Sequence, residues 1–244
     1  DTKTRRFGLR KVTGIDPKAQ SPWWMQRELM LSGQRPVNAA TDITNYLMLL
    51  LGQPMHAFDA SKIQGGLTVR CAEEDEKFET LDHVERTLNA EDVVICDEAG
   101  IQSLAGVMGG TTSEINDETT DVYFEAANWD PITVARTSRR HKLSSEASRR
   151  FERGVDPALV EVSLDLACAL LAEIAGGTVE ATRSVQGEVP AAPEIAMDIN
   201  FPSRIAGVDY PEQAVIGRLE EIGAEVSQDG AQLRVTPPTW RSDL

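Results

Sequence analysis

The chain has 244 residues, with 24 Lys plus Arg against 39 Asp plus Glu and a formal net charge of −15. A surface this acidic repels nucleic acid on average, which excludes phosphate contact over a whole face and leaves only local basic patches. The longest apolar run, residues 166–172, is far too short to cross a bilayer, and no signal-like start is read. Cys71, Cys96 and Cys168 show no CxxC or Cys/His spacing, so a reducing, cytoplasmic setting without structural zinc is expected.

Residues 6–12 read as an opening strand that starts abruptly, as a cut piece would. Ser21 and Pro22 then suit the N-cap and first position of a helix, WWMQRELMLSG, that Gly33 ends, with Trp23 and Trp24 as core aromatics. Asn38 is placed to cap a second helix, Ala39–Leu51, which Gly52 stops before a tight loop delivers Pro54, Met55 and His56. β-Branched and aromatic content predicts strands at residues 65–72, 77–81, Val93–Cys96 and 121–127, with a glycine-dense bend, AGVMGG, at 105–110.

Helices come next. Asp130-Pro131 opens one through Arg140, Ser144 and Ser145 cap another that ends at Gly154, and Asp156-Pro157 opens the longest, through Ile174. The last carries a broad apolar stripe (Leu159, Val160, Leu164, Ala167, Leu170, Leu171, Ile174) and stops at Gly176-Gly177. Residues 187–193, GEVPAAP, have linker composition. The remainder reads as a strand at 194–200, a capped turn at 202–206, a helix at 211–222 and a hairpin at 224–235 turning at Asp229-Gly230. Val215, Ile216, Leu219 and Ile222 form that helix's buried face.

No GxSxG, Walker loop or HExxH appears. The AGVMGG bend suits either a turn with positive φ or backbone N–H groups facing a ligand. Of three histidines, His83 sits in an acidic turn and His141 at a basic helix end. His56 has two readings, a structural hydrogen-bonder or a site residue. Glu125 stands among Val122, Tyr123 and Phe124, on the same strand face as Tyr123 and Ala127, so it either points outward or is buried for a purpose. Between residues 136 and 153 seven Arg and Lys side chains face two Glu, which makes a solvated helical face or the one stretch able to attract phosphate.

Taken together, RPVNAATDITNYLMLLLGQPMHAFD, GVMGGTTSEINDET, FEAANWDP and RRHKLSSEASRRFERGVDP resemble the editing module (the B-three/B-four region) of the beta subunit of bacterial phenylalanyl-tRNA synthetase. The segment after the linker, ending PPTWRSDL, is similar to the start of that subunit's B-five module. The resemblance implies an excised piece with α+β architecture: a layered ββα sandwich editing domain over 1–186, a linker at 187–193, and a small winged-helix-like α/β module over 194–244. It implies hydrolysis of tyrosine wrongly esterified to tRNA(Phe), by water and without a covalent enzyme intermediate. Glu125 would accept the phenol hydroxyl, helped by backbone at Gly109. Arg35 and His56 would approach the terminal adenosine and the ester, Thr44 and Asn45 would line the pocket, and Ser145 and Ala147 would form the wall against the ring. Whether His56 is a base or a positioning group stays open. No metal or cofactor is expected in this piece; ATP and magnesium belong to the whole enzyme, a tetramer of two alpha and two beta chains, and the tRNA(Phe) acceptor end and the alpha subunit are the implied partners. The physics agrees: a pocket for Phe rejects an added hydroxyl only on the order of a hundredfold, so a second sieve is required.

The rival reading is a non-catalytic module that holds an aromatic amino acid or serves as a scaffold. DNA binding through the C-terminal module is opposed by Glu212, Glu220 and Glu221 on its helix.

Overall fold

The computed structural model describes residues 2–244, and the chain divides into two compact units, Asp1–Val189 and Pro190–Leu244. In chain order the first contains β1 (Arg6–Thr13), α1 (Trp23–Leu31), α2 (Ala39–Leu51), β2 (Met55–Asp59), β3 (Thr68–Cys71), β4 (Lys77–Glu79), β5 (Glu85–Thr87) and β6 (Val93–Cys96). It continues through β7 (Ile101–Leu104), β8 (Met108–Gly109), β9 (Val122–Asn128), α3 (Pro131–Arg140), α4 (Glu146–Phe151), α5 (Leu159–Ala175) and β10 (Thr178–Gly187).

Its frame is an antiparallel sheet in the order β10-β1-β9-β2. Strand parity divides β9 between two cores. Val122, Phe124 and Ala126 join Met25, Ile43, Leu47, Leu164 and Leu171, so α1, α2 and α5 cover one face. Ala127 and Tyr123 point the other way, into a core shared with Phe58, Ile95, Leu104 and Phe151. That second core lies against a four-stranded sheet, β3-β6-β7-β8. Helices, sheet and second sheet make the expected α+β, ββα layering.

Several local expectations change. Met55 and His56 lie in strand β2 rather than on a loop, because they pair with Ala126 and Glu125 of β9. Trp23 and Trp24 are not core but 67% and 47% exposed. The buried positions of α1 are Met25 and Leu29, an i, i+4 pair whose stripe leaves residues 23 and 24 outside, with Trp24 edge-on to Tyr46. Ser21 does not cap α1; its hydroxyl donates to Asp42 Oδ2 at 2.7 Å, and the other oxygen of Asp42 takes the Val37 N–H. Asn38, Asp130 and Ser145 do cap α2, α3 and α4, accepting from the N–H groups of Thr41, Thr133 and Ser148. Asp156 folds a turn onto Ala158 instead, so α5 begins only at Leu159. Strand β10 has no counterpart in the expected elements: it pairs with β1 alone, is mostly exposed, and carries no alternating apolar signal.

The second unit contains β11 (Ile195–Asp198), α6 (Phe201–Ala206), α7 (Glu212–Glu221), β12 (Glu225–Asp229) and β13 (Gln232–Thr236), with sheet order β11-β13-β12. Its core joins Ile199, Val215, Leu233 and Val235, with Ile216, Leu219 and Ile222 packed against it. The expected capped turn is the short helix α6, without a side-chain cap.

Candidate functional site

The site forms where β2 and β9 meet β7 and β8. His56 and Glu125 are register partners across β2 and β9, so their side chains leave the sheet side by side on the face away from α2 and α5. The His56 ring stands edge-on to Phe58, with centroids 4.5 Å apart. On its other side is Gly109 of β8, where a Cβ atom would lie 2.6 Å from His56 Nε2. Only glycine leaves room for the imidazole, so the bend serves close approach to a side chain. The Gly109 carbonyl accepts the Leu81 N–H at 3.0 Å.

His56, Gly109 and Glu125 line a void of about 60 Å³ that opens to solvent. Trp129, Phe151, Leu104 and Ala147 supply apolar walls, and Pro54 and Met55 bring the start of β2 to the rim. Ser145 is not in the lining. Its hydroxyl donates to the Val107 carbonyl at 2.9 Å and accepts the Ser148 N–H at 3.0 Å, which ties the glycine bend to α4 and holds Ala147 on the wall.

Both polar groups are desolvated and neither faces an opposite charge. Burial pushes the Glu125 carboxyl up to about 8 and the His56 imidazole down to about 4. Near neutral pH the pair is therefore a protonated acid beside an uncharged ring. Glu125 is 6% exposed, and the buried Nε2 of His56 has no hydrogen-bond partner among the described residues.

Arg35, Thr44 and Asn45 are not brought to this void. Arg35 is exposed ahead of α2, Asn45 is half-buried, and the buried Thr44 donates its hydroxyl to the Thr41 carbonyl at 2.8 Å. Thr44 and Asn45 belong to α2, which packs on the opposite face of the sheet. Trp129, Phe151 and Leu104 are the walls that sequence reasoning missed. For Trp129 a signal existed: Glu125, Ala127 and Trp129 share one strand parity.

The basic stretch after Trp129 is partly neutralised. Arg140 pairs with Glu91 and Asp92, and Arg149 and Arg150 both pair with Glu146. Among the described residues Arg136, Arg139 and Lys142, all exposed, have no acidic partner. His141 is not part of an exposed cationic end: its Nε2 lies 2.7 Å from Asp92 Oδ2, which is buried. Among the described residues no group of three or more His, Cys, Asp or Glu could hold a metal ion. Among the described residues no helix is long and apolar enough to cross a membrane.

Residues 3–176 match the family model of the B3/4 domain. The chain belongs to the B3/4 domain family. Behind the B3/4 domain, residues 195–244 match a second family model, the tRNA synthetase B5 domain. The order of the two domains bears out the resemblance drawn from the motifs. A phenylalanine--tRNA ligase beta subunit of Corynebacterium glutamicum is 73% identical over 244 residues, and one of Nocardia farcinica is 58% identical over 246. The alignments take in 100% and 98% of this chain but only 29% and 30% of those subunits, so the chain spans under a third of their length. An N-terminal fragment of the phenylalanyl-tRNA synthetase beta subunit from Pyrococcus horikoshii aligns at 16% identity with a TM-score of 0.46, over 98% of this chain and 66% of that one.

Proposed function

We propose that this chain is the editing part of a phenylalanine--tRNA ligase beta subunit and that its void receives tyrosine esterified to tRNA(Phe). The observation that carries the reading is Glu125, a buried carboxyl without a charge partner among the described residues, in the lining of an aromatic-walled void. Held neutral, it can donate to or accept from a phenol hydroxyl. Phenylalanine would leave it unmet at a cost of about 1–3 kcal/mol, which corresponds to roughly five- to a hundredfold poorer binding. The phenol hydroxyl is assigned to Glu125 and the ring to the walls formed by Ala147 and Trp129.

Water attacks the ester carbonyl, the bond to the ribose oxygen breaks, and that oxygen takes up the proton as free tyrosine leaves. No Ser-His-Asp set lies in the void, so no acyl-enzyme is invoked. His56, at about 4, is a weak base at neutral pH. It is assigned to holding the ester end through its free Nε2 rather than to taking the proton of water. Arg35, exposed ahead of α2, is left to the nucleotide end of the substrate, outside the void. Arg136, Arg139 and Lys142 are assigned to acceptor-end phosphates. ATP, magnesium and the alpha subunit are assigned to the whole enzyme, in a cytoplasmic setting. Among the described residues no cluster of His, Cys, Asp or Glu suits a metal ion, and no step runs through one.

Single-turnover deacylation tests the reading. The chain, and the whole enzyme beside it, should release tyrosine from Tyr-tRNA(Phe) faster than phenylalanine from Phe-tRNA(Phe), and Glu125→Ala should erase the preference. Unchanged tyrosine release by Glu125→Ala refutes the assignment. Tyrosine bound without turnover supports the non-catalytic alternative, which the weak basicity of His56 also favours.

A further inference from the structure

The void rests on the first residues of β2, and that strand begins with a missing donor. Met55 pairs with Ala126 and His56 with Glu125, so the next step of the ladder sets Pro54 opposite Ala127. Pro54 has no N–H to offer the Ala127 carbonyl. Gln53 supplies one. Its side-chain Nε2 donates to Ala127 O at 3.0 Å and to the carbonyl of Pro54 itself at 2.9 Å.

Gln53 has no exposed surface, and its Oε1 is buried without a donor among the described residues. An apolar side chain of similar length would avoid that unmet oxygen, so packing alone does not explain an amide here. The approach is constrained as well: Gly52, at φ 78°, ends α2 and turns the chain directly into Gln53.

We propose that Gln53 is a positioning residue of the cavity, its amide standing in for the N–H that Pro54 lacks and holding residues 54–56 against β9. His56 is thereby kept between Phe58 and Gly109 and beside Glu125. The relevance to catalysis rests on the editing reading of the void, whereas the titration of His56 reads the positioning directly.

Gln53→Met removes both donated bonds while filling a similar volume. By NMR, His56 in the wild-type chain should keep its neutral-form ring signals down to about pH 5.5, because burial holds its pKa near 4. In Gln53→Met the His56 midpoint should move toward 6.5, and kcat for deacylation should fall with little change in KM. A folded Gln53→Met chain whose His56 stays silent above about pH 5.5 overturns the proposal. If Gln53→Met does not fold, the double variant with Pro54→Ala decides, since that change returns a backbone N–H opposite Ala127. It should fold and keep His56 silent; a double variant no better than the single one overturns the proposal. Absence of deacylation in every chain would refute the editing function and leave the His56 readout intact.

Discussion

Replacing Glu125 with glutamine keeps the shape of the void and removes its titratable acid, so the stabilities of the two chains should separate with pH. Folding raises the proton affinity of this carboxyl from the ordinary 4.5 to about 8. A group raised in this way leaves stability intact below its unfolded value and drains it as pH climbs toward the folded one. Each pH unit between the two values costs about 1.4 kcal/mol, so the full span of some 3.5 units is worth about 5 kcal/mol. At about pH 5 roughly 1 kcal/mol of this has already been lost, so about 4 kcal/mol remains to be lost by about pH 9. Glutamine pays no such penalty. The stability of Glu125→Gln minus that of the wild-type chain, from urea unfolding, should therefore rise by about 4 kcal/mol between those pH values. Other groups titrate in both chains and cancel in the difference. A difference that stays flat to within about 1 kcal/mol would show that Glu125 is solvated or charge-paired and would remove the basis of the proposed recognition.

Gly109→Ala places a Cβ atom 2.6 Å from His56 Nε2; deacylation should fall about a hundredfold while the circular dichroism of the fold is kept. Asp92 is buried, which by itself raises its pKa, yet the Asn89 N–H, His141 and Thr137 outweigh burial and hold it below the ordinary value. Its contribution is thus present above 3.8 and lost as pH falls through the lower folded value. Asp92→Asn should cost about 3 kcal/mol near neutral pH, measured by urea unfolding, and blunt the acid limb of the stability curve. Arg136→Glu with Arg139→Glu should weaken tRNA(Phe) binding and lower the slope of log affinity against log salt by about one for each lost phosphate contact; an unchanged slope removes α3 from the interface.

How much was legible in the sequence depends on whether the controlling interaction is local. Caps at Asn38, Asp130 and Ser145, the stop at Gly52 and the stripe of α5 arise from contacts within a few residues, and these elements stand as expected. The motif strings were also enough to place the chain beside phenylalanyl-tRNA synthetase beta subunits, because the order and spacing of turns and caps can be read without coordinates. Strand partners are not local. That β2 begins at Met55, that exposed β10 exists, and that Ser21 binds Asp42 rather than capping α1 were decided by residues 21 to more than 100 positions away.

The candidate site divides along the same line. Strand parity alone set Glu125 on one face with Ala127, but it could not say whether that face was wet. The second sheet covering it made the carboxyl a buried, uncharged group, and sheet pairing put His56 beside it. The same layering left Thr44 and Asn45 on the helix side, since the sheet stands between residues that one motif string carries together. Residue types and their parity are carried by the chain; burial, and with it proton affinity, is a property of what packs on top.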